Sequence, residues 1–315
     1  MMPWYQSFYE PAFAKTFLAT QTHLFISQDG EGSERLIENL LRNTLCEQPN
    51  NYQQACGHCK SCEYSFVEHP KLRVIEKNPE LKTAVVTIEQ IRELSSFIEL
   101  ASSSPEDYKM IYVKDADVLS TSAANALLKN LEEPPTNTFF ILNSKNLHKI
   151  LPTIRSRSSI HFLPSPSREQ SVSYLEQEGH QQAIQFIDLS GNKPLFAIQL
   201  ANDHEVLNGI VSLLMKGKSF DMMHVNDALL TSGLGFFIEI MQKWIFDLSS
   251  YTEFKQLHYF TNIKDKIEQI SKTLSYKETL NFYKKLNEYA RLADTPINKS
   301  MALDAMMIDY KRIFN

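Results

Sequence analysis

The sequence has no run of 18 or more apolar residues, and its start is neither basic nor followed by an apolar block. A membrane-spanning helix needs about 20 consecutive apolar residues, and a secretory leader needs a charged start before an apolar segment. We therefore expect a cytoplasmic protein that does not enter a membrane. Cationic charge is also scarce, because 32 Lys and Arg face 37 Asp and Glu, for a net charge of −5. This balance argues against a general nucleic-acid binder but allows a local basic surface.

Cysteine is absent from all but one short segment of the chain. The four cysteines lie within 17 residues, with the spacing C-x9-C-x2-C-x2-C, as Cys46, Cys56, Cys59 and Cys62. In a reducing compartment, this spacing favours thiolates that converge tetrahedrally on one metal ion. We predict one structural zinc per chain, bound by these four residues and without a catalytic role. A disulfide and an iron–sulfur cluster are the alternatives. His58 and His69 are nearby nitrogen donors, but four thiolates already complete the shell.

Short apolar runs alternate with amphipathic helical patterns in the first half of the 315-residue chain. The runs are 23–26, 72–75, 109–113, 139–142 and 160–163. Continuous apolar strands between helices predict a parallel sheet covered on both faces. Thr87 and Gln90 have the spacing of a capping box at the start of one helix. A linker rich in Pro and Ser follows at 164–167, and the chain reads as helical from about residue 208.

The stretch 27–34 joins the first apolar run to a helical pattern, as a phosphate-binding loop does. Its residues depart from the motif G-x-x-x-x-G-K-[ST], because Ser27 replaces the first Gly, Ser33 the Lys and Glu34 the Mg-binding hydroxyl. Nearby acidic side chains would also repel phosphate. An ordinary turn between strand and helix is the alternative. The residues of this degenerate candidate loop are Ser27, Gly30, Gly32, Ser33 and Glu34.

One helical motif carries a family resemblance. The stretch 126–135 reads Ala-Leu-Leu-Lys-Asn-Leu-Glu-Glu-Pro-Pro, and Ser156-Arg157 follows about twenty residues later. Together with the four-cysteine insertion, these features resemble the bacterial clamp-loader branch of the AAA+ ATPases across essentially the whole chain. The resemblance implies an α/β P-loop-type AAA+ core with a zinc-binding insertion at 1–163. It further implies a small helical lid domain at 164–207 and an all-α collar domain for oligomerisation at 208–315.

The resemblance also identifies positions where this chain departs from an active motor. Lys114 replaces the metal-binding Asp of the acidic motif, where its charge would compete with Mg²⁺. Pro194 stands where an Arg of the second sensor would touch the nucleotide, and the sensor strand ends in Asn143-Ser144 without an intact partner. We therefore expect no bound ATP and no intrinsic ATPase activity.

Arg157 is the functional residue that the resemblance preserves. The family motif Ser-Arg-Cys places an Arg in the ATP site of the neighbouring subunit, and here it reads Ser156-Arg157-Ser158. Such an arginine finger, supplied in trans, can contribute about 10³–10⁵ in rate. The implied partners are ATPase subunits of the gamma/tau type and a delta subunit in a hetero-pentameric ring, with the sliding clamp and primer–template DNA reached through the complex. A surface ion pair is the default for an isolated Arg.

The resemblance thus implies a non-hydrolysing scaffold subunit that helps load sliding clamps during DNA replication. Two other hypotheses remain. The chain is a motor subunit that hydrolyses ATP, or its cysteine segment is a zinc-dependent nucleic-acid-binding module. For the second of these, Lys60 and Lys71 are the nearest cations, which is few for contacts along a phosphate backbone.

Overall fold

The structure is a computed structural model that describes residues 2–50, 54–77, 85–99, 108–220, 233–293 and 298–314. It divides into two compact units, Met1–Ser167 and Arg168–Asn315. The division falls directly after the Pro- and Ser-rich segment at 164–167. None of the described helices combines the length and apolar character that crossing a membrane requires. The cytoplasmic location stays a prediction.

The first unit is built on a five-stranded sheet. Its strands are β1 (Thr22–Ile26), β2 (Leu72–Ile75), β3 (Lys109–Val113), β4 (Thr138–Ser144) and β5 (Ser159–Phe162). They lie in the order β2-β3-β4-β1-β5, and every neighbouring pair is parallel. The predicted parallel sheet is therefore confirmed, with strand ends within two residues of the apolar runs. All seven residues of β4 are buried, as expected for a central strand covered on both faces.

Helices connect and cover these strands. In the first unit they are α1 (Pro11–Ala19), α2 (Ser33–Leu45), α3 (Lys60–Glu63), α4 (Ile88–Glu99), α5 (Thr121–Glu132) and α6 (Pro152–Arg155). A 3₁₀ helix at Pro3–Tyr9 precedes them. The predicted capping box is present, because Thr87 N–H donates to Gln90 Oε1 at 2.9 Å and Gln90 N–H to Thr87 Oγ1 at 3.5 Å. Ser120 caps α5 in the same way through Ala123 N–H.

One apolar cluster joins the sheet to α4, α5 and α6. Leu24 and Phe140 from the central strands pack in it with Leu127 and Leu131 of α5 and Ile154 of α6, and all five are nearly inaccessible to water. Burial of one such side chain contributes about 1.5–3 kcal/mol, so the cluster fixes the backbone of these helices against the sheet. The end of α5 and the turn after α6 are therefore both held next to this apolar cluster.

The second unit is helical throughout its described residues. Its helices are α7 (Arg168–Gln177), α8 (Ile187–Ser190), α9 (Pro194–Asn202), α10 (His204–Met215), α11 (Leu234–Phe254), α12 (Lys264–Ser271), α13 (Tyr276–Leu292) and α14 (Lys299–Arg312). A single apolar cluster contains residues from Leu189 to Ile313 and so includes both predicted helical domains. The finer division into lid and collar stays a prediction.

Three buried side chains, Trp244, Tyr310 and Asp247, make hydrogen bonds in the interior of this second unit. Trp244 Nε1–H donates to the Tyr310 hydroxyl at 3.0 Å, and that hydroxyl donates to the Leu214 carbonyl at 2.6 Å. The buried Asp247 carboxylate accepts the backbone N–H groups of residues 258, 259 and 260 at 2.9, 3.0 and 2.7 Å. Burial raises the pKa of Asp247, although the three amide donors oppose that shift. Asp247 therefore fastens the chain that follows α11 to the middle of that helix.

A pair of histidines bridges β1 and β5 beneath α1. His23 Nε2 faces the carbonyls of Phe17 and Thr20 at 2.8 and 2.9 Å, so this nitrogen carries the proton. Its Nδ1 then accepts from His161 Nε2 at 2.9 Å. Aromatic rings surround the pair, with Phe17 stacked on His23 and Phe25 stacked on His161. Burial lowers the pKa of both histidines, and His161, which also faces His23, falls to about 4.

This pair predicts a pH dependence of stability in the first unit. The folded protein keeps His161 neutral, whereas the unfolded chain binds a proton near pH 6.5, so stability is complete above that value and falls as the pH drops towards 4. The loss at pH 4 is on the order of 3 kcal/mol. Hydrogen exchange of the β1 and β5 amides between pH 7 and pH 4.5 measures it within this unit. His161→Gln, which keeps an N–H donor, should reduce the dependence, and exposed His148→Gln should leave it unchanged. An equal dependence in His161→Gln would contradict the assignment.

Candidate functional site

The degenerate loop leaves the carboxyl end of β1 and leads into α2. Ser27 N–H donates to the Ser144 carbonyl at 3.1 Å, and Ser27 Oγ donates to Asn143 Oδ1 at 3.1 Å, which ties the ends of β1 and β4 together. Gly30 and Gly32 have φ of 79° and 87°, in the left-handed region that glycine adopts at little cost. Gly32 is the residue that caps α2. The loop therefore keeps a glycine-dependent turn at the place where a phosphate loop would lie.

The Glu31 side chain fills part of this loop. It is 2% exposed, and its Oε2 lies 3.4 Å from the Gln28 N–H. Its backbone carbonyl accepts Trp4 Nε1–H at 3.0 Å, so the buried start of the chain packs against the loop. Backbone N–H groups before a helix are the donors that a bound phosphate takes in a working phosphate loop. Here one of those donors faces a carboxylate of the loop itself.

Lys145 brings a cation to the loop that the sequence analysis did not predict. It directly follows β4, and its Nζ lies 2.7 Å from Asp29 Oδ2. Burial opposes its charge, but the contact with Asp29 and the nearby Asp115 and Asp117 outweigh burial, so its pKa is raised. The signal was its position directly after the polar end of β4, Asn143-Ser144, combined with a strand order that places β4 beside β1. The one lysine that reaches the loop is thus paired with a loop carboxylate among the described residues.

Two other residues differ from those expected in an active ATPase, namely Lys114 and Pro194. Lys114 follows a neighbouring strand, and Pro194 lies in the second unit. Lys114 follows β3, and its Nζ pairs with Glu76 Oε2 at 3.0 Å. Asp115 Oδ2 accepts the Lys77 N–H at 3.4 Å, which connects the ends of β2 and β3. Pro194 is the first residue of α9 and is buried. At these strand ends Lys114 is thus held by a carboxylate, and Asp115 accepts from a backbone N–H group.

Arg157 lies in the turn between α6 and β5. Its Nη2 donates to Glu132 Oε1 at 2.9 Å, and its Nη1 donates to the Thr153 carbonyl at 3.0 Å and lies 3.4 Å from Ser156 Oγ. The side chain is 35% exposed. It therefore makes a surface ion pair and still presents part of its guanidinium to solvent. Glu132, the last residue of α5, belongs to the motif at 126–135, and no local pattern in the sequence predicts its contact with Arg157.

The structure brings the four cysteines together. Their Sγ atoms all lie within 4.8 Å of one another, and both the pair Cys46 with Cys59 and the pair Cys56 with Cys62 are 3.9 Å apart. Four sulfurs about 2.3 Å from one ion would lie about 3.8 Å apart, which matches. A disulfide needs about 2.05 Å, and all four cysteines are free. The group can therefore hold a metal ion.

The protonation of these thiols also fits a central cation. Burial raises the pKa of Cys62 to about 12, and the neighbouring sulfurs add to the shift. Burial also disfavours the Cys59 thiolate, but the backbone N–H groups of Cys62 and Glu47 outweigh it, and its pKa falls to about 6. Amide donors thus favour the Cys59 thiolate, while burial, together with the neighbouring sulfurs, favours the protonated Cys62. A divalent cation at the centre would supply the charge that lets all four ionise.

Neither nearby histidine belongs to the sulfur group. His69 Nδ1 accepts the Lys71 N–H at 3.1 Å, so its Nε2 is protonated and donates to Ser61 Oγ at 2.7 Å. Ser61 Oγ in turn donates to the Leu45 carbonyl at 2.6 Å, at the end of α2. His58 Nδ1 lies 2.9 Å from the Cys56 carbonyl. The insertion is therefore attached to α2 by a buried chain of hydrogen bonds as well as by Cys46.

Comparison with known proteins identifies the family. The family described as DNA polymerase III, delta subunit matches residues 12–167, nearly the whole first unit. The delta-prime subunit of DNA polymerase III from Escherichia coli K12 is 33% identical over 164 residues, which is 51% of this chain and 48% of the relative. Residues 12–167 belong to this family. The chain spans about half the length of the curated relatives it matches, and the resemblance to delta-prime subunits is confirmed.

Two further relatives extend the comparison. The gamma/tau subunit of DNA polymerase III from Mycobacterium tuberculosis H37Rv is 31% identical over 137 residues, 43% of this chain and 23% of the relative. A crystal structure of a DNA polymerase III gamma subunit-related protein from Thermotoga maritima matches with a TM-score of 0.50 at 16% identity, over 96% of this chain and 99% of the other. That likeness shows the fold alone. A parallel five-stranded sheet with helices, resembling clamp-loader folds, is thus confirmed.

The sulfur group predicts tight binding of one metal ion. Titration of the apo-protein with Co²⁺ should give the absorption of a tetrahedral tetrathiolate site that saturates at one ion per chain. Cys59→Ser should weaken and alter this spectrum, while His58→Ala should leave it unchanged. Removal of the native metal with a chelator should lower the melting temperature by at least about 5 °C, because the ion holds the insertion on α2. Native protein that carries iron, or a spectrum that changes in His58→Ala, would contradict the four-sulfur assignment.

Proposed function

We propose that this protein is a clamp-loader subunit of the delta-prime type that does not hydrolyse ATP and supplies Arg157 to the ATP site of a neighbouring subunit. The observation that carries the proposal is a contrast within the first unit. Arg157 has an oriented and partly exposed guanidinium, whereas the loop at 27–34 has no lysine in the motif position and holds a buried carboxylate. The kinship of residues 12–167 with delta-prime subunits supports the same assignment.

The geometry of Arg157 suits a role in trans. Within the described residues its hydrogen bonds engage Nη1 and one hydrogen of Nη2, so Nε–H and a second Nη2–H have no partner there. A planar guanidinium that offers two N–H groups recognises phosphate oxygens in a bidentate manner. Placed against a γ-phosphate, it would stabilise the charge that develops during phosphoryl transfer. Replacement of the family Cys by Ser158 leaves the guanidinium itself unchanged.

The loop supports the absence of ATP hydrolysis in this chain. A γ-phosphate would meet Glu31 and Asp29 instead of a P-loop lysine, and Lys145 is already paired with Asp29. Lys114 stands where a carboxylate would hold Mg²⁺, so the metal would lack a ligand and face a positive charge. The motor hypothesis is therefore disfavoured.

The cysteine group is proposed to hold one structural zinc. Four sulfurs in a closed shell leave no open position for a substrate, and zinc prefers this tetrahedral thiolate set. In this position the ion would pin the insertion to the end of α2. The alternative of a nucleic-acid-binding module is weak, because Lys71 already lies over the Tyr108 ring, 5.4 Å from its centroid. Lys60 alone would give little salt-dependent affinity.

The proposed partners follow from this role. ATPase subunits of the gamma/tau type and a delta subunit would form a hetero-pentameric ring with this chain, held together by the helices of residues 208–315. The sliding clamp and primer–template DNA would be reached through the assembled ring. In this arrangement the chain serves as a rigid member against which the ATPase subunits move.

Substitution of Arg157 tests the role in trans. In a loader reconstituted from full-length subunits with clamp and primer–template DNA, Arg157→Ala should lower single-turnover hydrolysis at the adjacent ATP site by about 10-fold or more, because developing phosphoryl charge loses its partner. Arg155→Ala, two residues away at the end of α6, is the matched control and should retain the wild-type rate. Hydrolysis in Arg157→Ala that equals the wild type would refute the trans-catalytic function.

The isolated chain should not bind nucleotide. Calorimetric titration with Mg-ATP should give no saturable heat up to about 1 mM, because the loop offers acidic rather than cationic contacts. The matching titration of the partner ATPase subunit provides the positive control. Tight, Mg-dependent binding by this chain would instead favour the motor hypothesis.

A further inference from the structure

Glu132 and Arg157 belong to two separate sequence motifs, and the proposed function assigns a role only to Arg157. In the structure the two side chains are in contact. Glu132 is 25 residues away in sequence, yet its Oε1 lies 2.9 Å from Arg157 Nη2. The neighbouring Glu133 is also exposed and makes no ion pair in the described part of the chain. The two adjacent glutamates therefore differ in their surroundings, because only Glu132 contacts Arg157.

The backbone segments that carry Glu132 and Arg157 both pack on the apolar cluster that joins the sheet to α5 and α6. Leu131 directly precedes Glu132 and is 4% exposed, and Ile154 lies one turn before Arg157 and is 1% exposed. Both belong to the cluster that joins the sheet to α5 and α6. The turn itself is closed by Arg157 N–H to the Ile154 carbonyl at 3.1 Å and by Ser158 Oγ to the same carbonyl at 2.8 Å. The backbones on both sides of the pair are thus fixed, and the side-chain contact determines the remaining freedom of the guanidinium.

Stability of α5 does not account for a carboxylate at this position. Glu132 is the last residue of the helix, where the exposed carbonyl groups make negative charge unfavourable. An exposed ion pair also contributes little to folding. The contact does, however, restrict the rotation of a long side chain, and the Thr153 carbonyl holds the second terminal nitrogen. Glu132 and Thr153 together restrict the orientation of the guanidinium plane, while Nε–H makes no hydrogen bond within the described residues.

We propose that Glu132 is a positioning residue for Arg157, holding the guanidinium in the orientation in which it meets the γ-phosphate of a neighbouring subunit. This inference rests on the proposed function of Arg157. Catalytic contacts lose effect rapidly when they are misplaced, so a finger that is ordered before assembly reaches the transition state with less loss of freedom. Glu132 itself need not touch the nucleotide.

The test separates Glu132 from its neighbour and from Arg157. In the full reconstituted loader, with clamp and primer–template DNA, single-turnover hydrolysis is measured at varied ATP concentration for Glu132→Ala, Glu132→Gln and the matched control Glu133→Ala. We expect Glu132→Ala to lower the maximal rate about three- to ten-fold with little change in the half-saturating ATP concentration. Glu132→Gln keeps an oxygen that accepts from Nη2, and its rate should be intermediate. Glu133→Ala should match the wild type.

The double variant Glu132→Ala with Arg157→Ala decides whether the effect passes through the finger. We expect it to be no slower than Arg157→Ala alone, because the positioned group is absent. Thermal melting of each variant checks folding, and Glu132→Ala should melt at or slightly above the wild-type temperature.

Each outcome has a distinct meaning. A wild-type rate in Arg157→Ala would overturn the proposed function, and the inference with it. A slow Arg157→Ala combined with a wild-type Glu132→Ala would overturn the inference alone. A further loss in the double variant would show that Glu132 acts by another route, and a faster Glu132→Ala would show that the carboxylate restrains the finger; either result would also overturn the positioning role.

Discussion

The pairing of β1 with β4 at the centre of the sheet is the constraint on which the rest of the first unit depends. Its register places Ile26 opposite Ser144, so the loop after β1 emerges beside the polar end of β4. The contacts of Ser27 with Asn143 and of Asp29 with Lys145 follow directly from that register. A slip of one residue would turn every buried side chain of these strands to the opposite face. Because both strands are buried, such a slip is strongly disfavoured.

The loop and the finger illustrate how a fold can retain geometry while its chemistry changes. Left-handed glycines and a helix cap remain at 30 and 32, where phosphate would bind, but the surrounding charges are acidic. The role proposed for Arg157 requires only a fixed turn and a partly exposed side chain. The apolar cluster that joins the sheet to α5 and α6 fixes that turn. Under the proposed function, changes in the charges of the loop would therefore leave the geometry of Arg157 unaffected. A scaffold subunit with this division of roles remains compatible with a ring of working motors.

Local sequence patterns predicted the elements better than the contacts between them. Continuous apolar runs located the five strands, and the spacing of Thr87 and Gln90 located a helix start, because these signals depend on neighbouring residues alone. The spacing of the cysteines likewise predicted that their four sulfurs converge, and the Sγ atoms lie within 4.8 Å of one another. The pairing of His23 with His161, of Lys145 with Asp29 and of Glu132 with Arg157 required the strand order and the turn after α6, which no local pattern contains. The Asp247 contacts were missed for the same reason, since a buried carboxylate that accepts three amides has no sequence period.

The attachment of α2 at both ends has a mechanical consequence. At its start, Gly32 and the buried Glu31 connect the helix to the loop and to Trp4, and at its end Leu45 and Cys46 connect it to the cysteine insertion. Thirteen helical residues span about 20 Å, so the two attachments are separated by most of the thickness of a domain. A helix anchored in this way can neither slide nor tilt without breaking contacts at one end. Movement of α2 relative to the sheet would therefore have to break contacts at the loop or at the insertion, so the helix is expected to act as a fixed strut within the first unit.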